Sequence, residues 1–146
     1  MIEIKNITPQ ETFPIRHEIL RKGKPIDSCK FDNDDDSNTF HLGCFVKNRL
    51  IGVVSTYKLS NLSFNSEHQF QIRGMAILEE YQRKGIGEKL IQEVEKITIS
   101  NKTEIIWFNA RESALAFYLK LGYKTFGTKF EINGIGTHYL MYKSIA

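Results

Sequence analysis

Hydrophobic and polar positions change period several times along the chain, and each change marks an element. Ile2, Ile4 and Ile7 alternate loosely with polar residues as far as Pro9, which predicts a first strand over Met1 to Thr8. Thr8, Pro9 and Glu11 stand where an N-cap, an N1 proline and a reciprocal N3 acid belong. They predict a helix through Ile15, Ile19 and Leu20 toward Gly23, with Pro14 as a break between two pieces. Lys24 to Asn38 holds Pro25 and the run Asp32-Asn-Asp-Asp-Asp36 and reads as a long solvated loop. Thr39–Val46 and Leu50–Leu59 are β-rich runs around Lys47-Asn48-Arg49, the outline of a hairpin.

After a polar connection over Leu62–His68, Phe70, Ile72, Ala76 and Leu78 alternate with Gln71, Arg73, Met75 and Ile77, a strand period. Gly74 interrupts it, the mark of a bulge or of a close approach to the backbone. Glu79–Lys84 is polar, and then Ile86, Leu90, Ile91, Val94 and Ile97 recur at helical spacing, predicting a helix from Gly85 to about Ser100. Ile105–Phe108 is short and continuously apolar, suited to a strand covered on both faces. Asn109 and Glu112 have N-cap and N3 spacing and open a helix carrying Ala114, Leu115, Phe117, Tyr118 and Leu121, which Gly122 stops. Tyr123–Ile132 and His138–Ile145 are the last two strands, joined through Asn133-Gly-Ile-Gly136. Short links allow antiparallel pairing, while the strands before and after the Gly85 helix should run parallel. The class is α/β (α+β), a mixed sheet covered by helices.

Composition narrows the function. The 146 residues fit one domain with a full core, and 41% hydrophobic and 25% charged residues are ordinary for a soluble globular chain. A net charge of +3, with only Arg21, Lys22 and Lys24 as a local basic group, argues against nucleic acid as partner. Cys29 and Cys44 lack the spacing of a zinc site or redox pair. Asp32, Asp34 and Asp36 imitate the first ligands of a calcium loop, but Ser37 and Gly43 occupy the places of its glycine and its bidentate glutamate. No metal is expected. A signal-peptide pattern and a span-length apolar run are both missing, so the expected setting is cytoplasmic, without a membrane partner.

The chemistry concentrates at Gly85. The first amides of a helix have no intrahelical acceptor and carry partial positive charge. Gly85 and Gly87 let a bulky oxyanion come close, and Arg83 and Lys84 add full charges, so a diphosphate is the natural guest. Gly85, Gly87 and Lys89 do not fit the nucleotide-triphosphate loop, and Leu90 stands where a dinucleotide fingerprint needs its third glycine.

Gln82-Arg83-Lys84-Gly85-Ile86-Gly87, preceded by the strand end Met75-Ala76-Ile77, resembles the acetyl-coenzyme A site of the GNAT superfamily of N-acetyltransferases. The stretch from Asn109 through Phe117-Tyr118-Leu-Lys-Leu-Gly-Tyr123 is similar to that family's second signature, and the order of elements matches. The resemblance implies a single domain over residues 1–146. It also implies a mostly antiparallel sheet of about six to seven strands with helices on both faces, splayed between the central strand and the strand after the Gly85 helix. Main-chain amides of Gln82–Gly87 would hold the pyrophosphate, and Met75, Ala76 and Ile77 would pair with the pantetheine arm and supply an oxyanion donor. Asn109 and Phe117 would complete the cofactor contacts, and Tyr118 would protonate the departing thiolate. The acetyl group would pass directly to a primary amine of a small molecule or peptide within a ternary complex, a homodimer being an open alternative.

One position departs from the family. Gln71 stands where many relatives carry a glutamate, and an amide cannot serve as base. His41 and His138 are the titratable candidates, each of which reads first as a structural strand histidine and second as the base; a water chain or an amine arriving partly deprotonated are the alternatives. Segments around Leu20–Pro25, Asp34–Gly43 and Gly134–His138 resemble a little-characterised bacterial subgroup, which implies that His41, Arg73 and His138 face the acceptor. A non-catalytic coenzyme A binding or sensing module is the competing reading, encouraged by Gln71.

Overall fold

The computed structural model describes residues 1–145. Its strands are β1 (Ile2–Ile7), β2 (Phe40–Val46), β3 (Arg49–Tyr57), β4 (Gln69–Ile77), β5 (Ile105–Arg111), β6 (Lys124–Ile132) and β7 (Gly136–Ser144). The helices are α1 (Pro9–Leu20), α2 (Ile86–Ser100) and α3 (Leu115–Lys120). The strands form one seven-stranded sheet in the order β1-β2-β3-β4-β5-β7-β6, with β4 and β5 parallel and the pairs β1-β2, β2-β3, β5-β7 and β6-β7 antiparallel. The mixed, mostly antiparallel α/β class expected from the sequence is therefore the one observed. The chain divides into two compact units, residues 1–58 with 72–96, and residues 59–71 with 97 onward.

In the first unit, β1 and β2 pair from Ile2↔Val46 to Ile7↔His41. Lys47 and Asn48 both take left-handed φ, 51° and 66°, the two-residue turn whose twist matches a hairpin. Arg49 already pairs with Val46, so the link is one residue shorter than the sequence suggests. Ile51 through Tyr57 are all buried, which makes β3 the most enclosed strand of this unit. The capping box at α1 is complete: the Glu11 amide donates to Thr8 Oγ1 at 3.2 Å and the Thr8 amide donates to Glu11 Oε1 at 2.8 Å. Pro14 does not divide the helix, which runs unbroken for 12 residues. The carbonyl that Pro14 leaves unpaired belongs to exposed Gln10, where water can satisfy it, while buried Thr12, Ile15 and Arg16 hold the helix to the core on both sides of Pro14. Ile86, Leu90, Ile91 and Val94 of α2 are buried as their spacing predicts, each fully buried side chain worth about 1.5–3 kcal/mol.

In the second unit, β4 and β5 pair in parallel over Gln69↔Ile105, Phe70↔Ile106 and Gln71↔Trp107. The buried Gln69 side chain donates to the carbonyls of Asn61, Phe64 and Ser66 and accepts from the Asn61 amide, tying down the polar connection ahead of β4. Asn109 is not a helix cap. It lies inside β5, exposed and opposite Leu140 of β7, and the ladder continues through Ala110↔Tyr139 and Arg111↔His138. Two further rungs satisfy more main-chain groups than one side-chain cap would, so the strand persists and the helix starts late. A single 3₁₀ turn over Glu112–Ala114 leads into α3, which has no side-chain cap.

Candidate active site

The turn before α2 belongs to the first unit. Gln82 Nε2 donates to the Ile77 carbonyl at 2.9 Å, clamping the turn back onto the end of β4. Arg83 and Gly85 take left-handed φ of 61° and 80°. The first helical bond runs from the Lys89 amide to the Gly85 carbonyl at 3.2 Å, so the amides of Ile86, Gly87 and Glu88 have no acceptor of their own within the helix. Ile86 is buried and pins the helix start, while Gln82, Arg83, Lys84 and Gly85 are exposed. A Cβ built on Gly85 would meet nothing within 4 Å, so the space over this stretch of main chain is open. Open backbone, a helix dipole and two adjacent cations make a set of donors that fits a diphosphate.

β4 delivers the strand end just upstream. Ala76 is buried, and Met75 and Ile77 on the other face are half-buried. Gly74 takes φ +69°, the strand irregularity its sequence predicts, and a Cβ there would lie 3.0 Å from Phe31 Cε2 and 3.5 Å from Arg16 Nε. Both the backbone angle and the packing require glycine.

Beneath Gly74 lies a buried polar network that sequence reasoning missed. Arg16 and Asp34, both with fully buried side chains, form a bidentate pair at 2.7 and 3.0 Å. Asp34 also accepts from the Tyr57 hydroxyl at 2.6 Å and the Phe31 amide at 2.9 Å, and Arg16 donates to the Cys29 carbonyl and to Ser55 Oγ. The loop read as solvated is therefore tied to α1 and β3 through one of its aspartates, with Cys29 and Phe31 buried beside it. A signal was present: Arg16 shares a helical face with Thr12 and Ile15, and a charge on a buried face requires a partner. Burial alone would push the Asp34 carboxyl up, but the hydrogen bonds from Arg16, Tyr57 and the Phe31 amide, with the Arg16 charge, outweigh it and hold it below its usual range. Burial, with an opposing pull from the Asp34 carbonyl, holds the His41 imidazole below its usual value.

The network also fixes the His41 tautomer. His41 Nε2 lies 3.0 Å from the Asp34 carbonyl, which can only accept, so Nε2 carries the proton. Nδ1 then accepts from Ser55 Oγ at 2.6 Å, and Ser55 accepts in turn from Arg16. Both ring nitrogens are committed and the residue is 3% exposed, which gives His41 a structural role and leaves it no lone pair for an outside proton.

The remaining residues singled out from the sequence lie in the second unit, apart from Arg73, which projects from β4 in the first. Tyr118 of α3 packs among Phe108, Phe117 and Tyr123 at centroid separations of 4.3, 5.0 and 6.2 Å. Burial pushes its phenol up to about 12, so it remains a proton donor at neutral pH. Asn109 is exposed on β5, and Gln71 is half-buried at the end of the β4-β5 ladder. His138 is buried on β7, and its Nδ1 must donate to the Gly136 carbonyl at 2.9 Å. That leaves Nε2 as an acceptor, the opposite situation from His41. Among the described residues no group of three His, Cys, Asp or Glu could hold a metal ion, no helix is long and apolar enough to cross a membrane, and Cys29 and Cys44 are free thiols.

Residues 20–144 match the family model described as an acetyltransferase (GNAT) domain. The chain is 37% identical over 145 residues to the uncharacterized N-acetyltransferase YitI of Bacillus subtilis, covering 99% of this chain and 97% of that one. Among solved structures, an aminoglycoside 6'-N-acetyltransferase complexed with coenzyme A superposes with a TM-score of 0.79 at 14% identity, covering 99% of this chain and 97% of that one. The ribosomal-protein-S18-alanine N-acetyltransferase of Escherichia coli does so with a TM-score of 0.78 at 15% identity, covering 100% and 95%. At such identities the likeness is one of fold.

Proposed function

The chain belongs to the GNAT acetyltransferase family and is an acetyltransferase, and from that premise we propose that it moves the acetyl group of acetyl-coenzyme A directly onto a primary amine of a small molecule or peptide, as a single cytoplasmic domain. One observation carries the cofactor assignment: the exposed turn residues Gln82–Gly85, open at Gly85 and running into the N-terminus of α2. Its amides, with Arg83 and Lys84 beside them, bind the pyrophosphate. Met75, Ala76 and Ile77 pair with the pantetheine arm, helped by Asn109 and Phe117, and a main-chain amide of that strand end steadies the oxyanion.

Tyr118 gives its proton to the thiolate as it leaves. His138, through the Nε2 that its bond to Gly136 leaves available, takes the proton of the attacking amine. The reading assigns no step to a metal.

Free-thiol release across an amine panel tests the transfer, with calorimetric titration of acetyl-coenzyme A alongside. Release that depends on a particular amine is expected. Tight cofactor binding with no release for any amine would instead identify a coenzyme A binding or sensing module, the reading that Gln71 favours. For the base, His138→Asn keeps a donor near the Gly136 carbonyl and removes the free ring nitrogen. It should lower kcat about a hundredfold near neutral pH with cofactor affinity unchanged, and the deficit should shrink as rising pH supplies the amine already deprotonated. A deficit equal at every pH would remove His138 from that role.

A further inference from the structure

Phe31 is buried, yet three guanidinium groups surround its ring. The Cζ atoms of Arg16, Arg73 and Arg21 lie 4.0, 4.6 and 5.0 Å from its centroid. They are not equivalent. Arg16 is neutralised by its bidentate pair with Asp34, and its charge is spent inside the protein. Arg73 is exposed on β4, and among the described residues no carboxylate lies within ion-pair distance of it, although Asp32, Asp35 and Asp36 belong to the same loop as Phe31. Its guanidinium carbon sits over the face of Phe31, which restrains the group, while the residue as a whole stays exposed to solvent.

The position of this cation gives it a use. Arg73 immediately precedes Gly74, about 3.8 Å away along the chain, and Gly74 is the irregular residue ahead of the strand end assigned to the pantetheine arm. The Phe31 ring lies under the Arg73 guanidinium and also fills the space that a side chain at position 74 would need, so one ring borders the cation and the left-handed glycine beside it. A planar fork held ahead of the acetyl-binding strand matches the geometry of a carboxylate.

We propose that the acceptor is an amine that also carries a carboxylate, and that Arg73, braced by Phe31, receives the carboxylate and so selects the substrate. This rests on the acetyl-transfer reading above. A guanidinium already resting on an aromatic face has less rotamer freedom to lose when it binds, which favours discrimination over mere attraction.

Amino acids with α-, β- and ω-amines, each paired with its carboxamide, supply the test, assayed at a pH high enough to deprotonate every amine. Wild type should prefer at least one acid over its carboxamide by about 10- to 100-fold in kcat/KM. Arg73→Gln should bring that ratio close to one, and Arg73→Lys, a point charge without the fork, should restore only part of it. High salt should erode the wild-type preference. Carboxamides acetylated as well as their acids, or an Arg73→Gln chain that weakens both members of each pair equally, would overturn carboxylate recognition while leaving acetyl transfer in place. Failure of acetyl-coenzyme A to bind in calorimetry would overturn both.

Discussion

Replacing Asp34 with alanine should lower the free energy of unfolding by about 3–5 kcal/mol, the usual cost of stranding one partner of a buried ion pair. Arg16 would keep a full charge in a site where its side chain is wholly buried, and the Tyr57 hydroxyl and Phe31 amide would lose their acceptor. Arg16 already has one unsatisfied donor, its Nε, so it has no spare bonding with which to compensate. Against a typical domain stability of about 5–15 kcal/mol the loss is large. It should appear in urea unfolding as a lower midpoint at unchanged slope. Asp34→Asn, which keeps the shape and one acceptor, should cost less. An alanine variant as stable as wild type would mean that the loop is not held by this pair.

Acid should dismantle the same network in a set order. Asp34 and His41 both have folded-state pKa values below their ordinary ones, so the unfolded chain binds more protons than the folded chain as pH falls. Both contributions are therefore complete above the unfolded pKa and are lost on acidification. His41 begins to cost stability below its ordinary 6.5, and Asp34 only below its ordinary 3.8. Melting temperatures of wild type should decline in both ranges, and Asp34→Ala should flatten the second decline.

Tyr118→Phe should reduce kcat about a hundredfold or more while leaving acetyl-coenzyme A affinity nearly unchanged, because it removes a proton donor without altering the shape of the ring. The phenol is pushed up by burial alone, and the same desolvation raises the proton affinity of a thiolate expelled next to it. Loss of the hydroxyl should scarcely affect folding, since the ring keeps its packing on Phe108, Phe117 and Tyr123. A fall in kcat without a fall in melting temperature separates chemistry from stability. Unchanged turnover, with the chemical step rate-limiting, would assign the proton to another donor.

Local patterns were legible where local chemistry decides. Thr8 and Glu11 announce the start of α1, Gly74 announces a strand irregularity, and the apolar spacing from Ile86 places α2 within a residue of its observed start. Asn109 misled because cap chemistry competes with a ladder whose partner, β7, lies some thirty residues downstream, roughly the separation of a supersecondary unit. Arg16 and Asp34 stayed hidden for a related reason. Each letter is ordinary on a surface, and only the folding of the loop back onto α1 turns two solvated charges into one buried pair. Likewise the contrast between His41 and His138 cannot be read from residue type; it comes from which ring nitrogen faces a carbonyl and from Ser55 occupying the other nitrogen of His41.

The most direct measurement is a crystal structure with coenzyme A bound. The expected result is a pyrophosphate whose oxygens accept hydrogen bonds from main-chain amides between Arg83 and Gly87. Coenzyme A lodged elsewhere on the chain, or no bound molecule at saturating concentration, would contradict the assignment of that turn and the catalytic roles that depend on it.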